Sequence, residues 1–163
     1  MPNHCYNRVT IYGSGNDTDE TRAQIAKLKA IFEDENVFGQ IIPEPDWPNI
    51  PLNKETSGNW LHSKRGEVGE LPTKVEDPWF RYVFKSTGLS DDRWYDWRLE
   101  NWDTKWDAYD LTVVDEDPDQ LEVTFNTAWS PPQAICDQLK EDYPDLAVSW
   151  FFDEPGCEIA GYL

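Results

Sequence analysis

The run WYDWRLENWDTKWDAYD, residues 94–110, holds four tryptophans, two tyrosines, five acids and two bases. Two chemistries fit Trp94, Trp97, Arg98, Trp102, Lys105 and Trp106. Cations beside indole faces can stack on them or hold an anion, which would make an aromatic and cationic pocket. Each large ring also buries on the order of 150–250 Å², so the same run can fasten a segment to a core. Trp94, Trp97 and Arg98 fall on one helical face, and Trp102 and Trp106 lie four apart beside Lys105. We read the run chiefly as a fastening that pins an inserted segment onto an otherwise naked sheet face.

Other chemistry-bearing residues are sparse. His4 and His62 are the only histidines and lack metal-ligand spacing, so no metal site is expected. Cys5, Cys136 and Cys157 are odd in number, widely spaced and without a CxxC pair, which argues against disulfides or zinc and for a reducing cytoplasm. The GSG at 13–15 lacks the third glycine and the lysine of phosphate-binding loops, and Asp17, Asp19 and Glu20 crowd the helix start behind it. It reads as a loop. No catalytic residue and no cofactor are expected.

The acids dominate instead. The chain carries 32 acids against 14 bases, a net charge of −18, and residues 106–163 hold 14 acids with Lys140 as their single base. Such a field repels nucleic acid and anionic membranes and draws basic partners. Asp110, Asp115, Glu116, Asp117, Asp119 and Glu122 are expected to form a ridge of spaced negative charge on one hairpin, a partner-binding surface, with a merely solubilising surface as the alternative. Nothing near 18 consecutive apolar residues is present, and the first residues lack the pattern of a signal peptide.

The elements that must position these residues follow from periodicity. CYNRVTIYG alternates as a strand, and Ile25, Leu28, Ile31 and Phe32 mark an amphipathic helix over about 18–33. VFGQII (37–42) reads as a short extended run. From 43 to 93 the periodicity fades into an irregular or partly helical insertion dotted with Trp47, Trp60, Trp79 and Phe80, with a short helix expected near 77–88. AYDLTVV and LEVTFNTAW alternate as strands around a turn DEDPDQ, with Trp129 on the inward face. Ser130 before two prolines predicts a capped helix closing near Tyr143, and LAVSWFFDE predicts a strand. EIAGYL adds a short final strand. The order βαββαβ predicts one α+β, ferredoxin-like split βαβ domain over 1–163, an antiparallel sheet with helices on one face and a long insertion after residue 42.

MPNHCYNRVTIYG, the aromatic run at 94–110, FNTAWSPP and EPGCEIAGYL together resemble the YubB ferredoxin-like domain family, encoded mainly on phages and plasmids. His4 stands where that family carries Trp, and Asp103 where it carries Gly, so the tight positive-φ turn of the family is not expected at Asp103. The resemblance implies the fold and a mobile-element setting; it implies no activity. Charge and setting together lead to the expectation of a cytoplasmic, non-enzymatic inhibitor that meets a basic host protein handling nucleic acid, with no direct nucleic-acid or membrane binding. A small-molecule binder or enzyme built on the cluster at 94–106 is the alternative.

Overall fold

The structure, a computed structural model, describes residues 3–15, 18–53, 65–77 and 81–163. It divides into two compact units, Met1–Pro43 with Asn101–Leu163, and Glu44–Glu100. His62, Trp60, Trp79 and Phe80 lie outside the described residues.

In the first unit, strand β1 (His4–Gly13) buries Cys5, Asn7, Val9 and Ile11 and turns Tyr6, Arg8 and Tyr12 to solvent, the period of two that its sequence predicts. Helix α1 (Asp19–Phe32) starts at a capping box, where Thr18 and Thr21 exchange side-chain and backbone hydrogen bonds, and buries Ile25, Leu28 and Phe32. Residues 37–42 depart from expectation. Val37–Ile41 form a short helix, α2, because Val37 and Phe38 both bury inward and the Asp107 carboxylate accepts the Phe38 N–H at 3.0 Å, satisfying a free helix-start donor.

Strands β4 (Tyr109–Asp117) and β5 (Gln120–Ala128) form a hairpin that is longer than expected. Asp117 pairs with Gln120, so the turn is only Pro118–Asp119, and Asp115 to Asp117 belong to the strand. Helix α4 (Gln133–Asp142) ends at Tyr143, strand β6 (Leu146–Glu154) follows, and β7 (Ile159–Tyr162) folds back on it. The sheet order is β4-β5-β1-β6-β7, all neighbours antiparallel. Without the terminal β7, this is the ferredoxin-like arrangement that the sequence predicts.

Phe125 sits at the centre of the core, with its ring 6.2 Å from Phe32, 5.9 Å from Phe38 and 5.7 Å from Trp150. Val9, Ile11, Val123, Trp150, Ile25, Leu28, Ile135 and Leu139 are buried, while Leu111, Val113 and Val148 are only half-buried. Trp129 does not face inward. Its φ of 73° takes it out of the β5 register and leaves it 50% exposed.

In the second unit, a 3-10 turn at Trp47–Asn49 is followed by a two-stranded ribbon, β2 (Thr73–Lys74) with β3 (Tyr82–Val83). The helix expected near 77–88 is absent from the described residues there: Tyr82 and Val83 are extended, and Asp77 instead holds Arg81 through a 2.6 Å ion pair. The helical signal lies further on, in α3 (Arg93–Trp102), whose residues up to Glu100 belong to this unit and whose spacing puts Trp94 and Arg98 one turn apart. Gly66 is required by close packing, since a Cβ there would lie 2.7 Å from the Phe84 ring.

Candidate functional site: an acidic sheet face and an aromatic cleft

The sheet's open face presents the alternate residues of each strand. On β5 these are Glu122, Thr124 and Asn126, opposite Thr10, Arg8 and Tyr6 of β1. On β4, Val114 lies opposite Glu122. Asp117 and Glu122 share a recess of about 240 Å³ with Val114 and Gln120. Asp110 stands away from them. A β-bulge and a φ of 52° displace it, and its carboxylate accepts the Asn126 side-chain amide at 3.3 Å, two same-face repeats or about 13 Å along β5 from Glu122.

Asp119 leaves the expected ridge altogether. Its two carboxylate oxygens accept the Arg22 guanidinium of α1 at 2.5 and 3.0 Å, and that bonding holds its carboxyl below the usual range. The side chains of Asp115 and Glu116 lie outside the described part. The hairpin therefore brings Asp117 and Glu122 together, sets Asp110 apart, and spends Asp119 on a helix.

The aromatic run also divides. Trp102 is 1% exposed in the first unit, its indole N–H donates to the Ile42 carbonyl at 3.0 Å, and its ring meets Phe38 edge-on at 5.8 Å. Phe38 in turn touches Phe125, so Trp102 belongs to the helical side of the sheet and not to the open face. Trp106 is 38% exposed, carries Lys105 over its ring at 4.6 Å, and contacts Tyr109. The Tyr109 hydroxyl meets His4 Nδ1 at 2.5 Å. Histidine here serves packing and hydrogen bonding.

Trp94 and Arg98 face a different place, a cleft of about 550 Å³ within the second unit, lined also by Glu44, Asp46, Trp47, Arg81 and Tyr82. Its walls are braced by charge. Glu44 accepts Arg98 at 2.6 Å and the Trp47 indole N–H at 2.9 Å, while Arg98 stacks over Trp94 at 5.0 Å. Behind them, Arg93 and Asp91 form an ion pair with side chains 2% and 3% exposed. Arg93 also donates to the Trp47 and Pro51 carbonyls and lies between the rings of Trp47 and Phe84, at 5.1 and 5.7 Å. Sequence reasoning missed this hub, because Glu44, Trp47 and Asp91 carry no spacing signal that links them to Arg93 or Arg98. The cleft's volume suits a small molecule. Its guanidinium groups are committed: Arg98 to Glu44 and Arg81 to Asp77.

Among the described residues, no group of three or more His, Cys, Asp or Glu side chains gathers to hold a metal ion, and no helix is long and apolar enough to cross a membrane.

Residues 101–163 match a family model described as the ferredoxin-like domain in Api92-like protein. That span carries β4, β5, α4, β6 and β7. A crystal structure of a protein api92 from Yersinia pseudotuberculosis aligns over 99% of this chain and 93% of that chain, with 11% identity and a TM-score of 0.48. No curated protein matches the chain. The matched family model names a fold and a kind of protein; it names no reaction.

Proposed function

We propose that this is a non-enzymatic acidic protein of a phage or plasmid that binds and inhibits a basic, nucleic-acid-handling host defence protein, such as a nuclease, restriction enzyme or CRISPR effector, in the host cytoplasm. The observation that carries the reading is the charge of the β4–β7 region. Residues 106–163 hold 14 acids, and their single base, Lys140, donates its ammonium to the Leu163 carbonyl at 3.1 Å. Asp117 and Glu122 in their shared recess, with Asp110 further along the face, set carboxylates on a two-stranded support. A groove built for a phosphate backbone would release its own counterions to such a surface. The mobile-element setting rests on the resemblance of the sequence to the YubB family alone.

The test is capture from host lysate followed by charge reversal. Asp110→Asn, which keeps the tolerance of positive φ, with Asp117→Lys and Glu122→Lys together abolish partner binding and leave the fold intact, and wild-type affinity falls steeply with salt. Unchanged binding by the triple variant, or no host partner at all, overturns the reading.

The cleft at Trp47 and Trp94 favours a second reading, a binder of a small nucleotide signal. It ranks below the first because an anion would have to displace Glu44 or Asp77 from its arginine. A saturable thermal shift with a nucleotide would reverse that order.

A further inference from the structure

The two edges of the sheet are built differently. β4 is interrupted by bulges between Tyr109 and Thr112 and between Val114 and Asp117, and it carries Asp110 and Asp117. Bulges and charges of this kind stop another strand from pairing with an edge. β7, IAGY, has none of these guards. It carries no charge and no proline, and Ile159 and Tyr162 are 54% and 68% exposed.

The ladder also shows which backbone groups are open. In an antiparallel pair, alternate residues direct both N–H and C=O toward the same neighbour. The Leu163 N–H donates to the Trp150 carbonyl at 3.0 Å, so Gly161 and Ile159 also face β6. Ala160 and Tyr162 therefore direct their backbone groups away from the sheet. Among the described residues, no strand lies on that side of β7.

The surroundings select a sign of charge. Asp153 lies opposite Ala160 on the open face, and Glu158 precedes β7 with its side chain exposed. Ala160 is small, so a long side chain on an added strand could pass over it to Asp153, two strand spacings or about 9.5 Å away. Tyr162 and Phe151, with ring centroids 5.4 Å apart, form an aromatic floor beside that path, and Arg8 lies over Phe151.

We propose that the β7 edge docks an extended basic segment of a partner protein by strand addition, with Ala160 and Tyr162 supplying backbone hydrogen bonds and Asp153 and Glu158 selecting lysine or arginine. The partner's positive charge rests on the functional reading above; the mode of docking rests on β7.

The experiment titrates the whole protein with a synthetic peptide alternating Lys and Val, and with its Glu-for-Lys counterpart, following backbone amide resonances. The basic peptide is expected to bind, to shift and protect the Ala160 and Tyr162 amides, and to weaken with salt, while the acidic peptide does not bind. Ala160→Pro removes an outward N–H and no ladder bond, so binding weakens about tenfold. Ala160→Lys does the same by charge and needs no backbone change. Basic-peptide binding that moves Asp117 and Glu122 but not β7 overturns this docking mode and leaves the acidic-surface reading standing. Equal binding of both peptides, no binding of either, or a dimer of this chain that Ala160→Lys dissolves overturns it as well.

Discussion

The carboxylate of Asp103 caps helix α4 from 31 residues away, accepting the Ala134 N–H at 2.9 Å. Ser130, the expected cap, instead donates its hydroxyl to the Asp103 carbonyl, and Pro132 at the N-cap position makes no side-chain bond. Asp103 also holds a φ of 62°, so the positive-φ turn is present although the residue is not glycine. Aspartate tolerates that conformation better than most residues and adds a cap that glycine lacks.

Substitutions at Asp103 should therefore rank. Asp103→Gly loses the cap but relieves the backbone, for a net loss below about 1 kcal/mol. Asp103→Ala loses the cap and tolerates the left-handed backbone less well than aspartate, for about 2 kcal/mol. Urea unfolding measures both. Equal stability of Ala and wild type would remove the capping role.

The tryptophans at the end of the aromatic run should separate. Trp102→Ala empties a fully buried site beside Phe38 and should cost about 3–5 kcal/mol. Trp106→Ala, at an exposed ring, should cost no more than about 1 kcal/mol. Matching losses in thermal unfolding would contradict their different burial.

In the second unit, Arg93→Ala strands the Asp91 carboxylate in a buried site and should cost about 3–5 kcal/mol. Replacing both residues, Arg93→Met with Asp91→Leu, should recover most of that loss. A double variant no better than the single one would place the role of Arg93 in its contacts with Trp47 and Phe84 rather than in its charge.

Alkaline pH should destabilise the first unit. Burial pushes the Cys5 thiol from 9.0 up to about 11, and burial also raises Cys136 and Tyr109. A folded value above the unfolded one means stability that is complete below about pH 9 and is lost as pH rises toward 11, because only the unfolded thiol ionises in that window. Cys5→Ala should flatten the fall. In the native protein below pH 9, thiol reagents should label Cys157 alone, slowly, since its hydrogen bond to Glu154 raises it too.

The amino-acid order alone set out β1, β5, α1 and α4 of the ferredoxin-like unit, because their buried faces recur with periods of 2 and 3.6. It also determined the charge, which is a sum over residues and needs no geometry. Tertiary structure alone decided that Val37–Ile41 is helical, since five residues have too little period to show it and the deciding bond comes from Asp107. It alone turned Asp119 from the ridge to Arg22, gave Trp102 to the core and Trp94 to the cleft, and left β7 as an unguarded edge. The short helix, the ion pair and the two tryptophan placements depend on partners distant in sequence, the β7 edge on its place at the end of the sheet, and local spacing records neither.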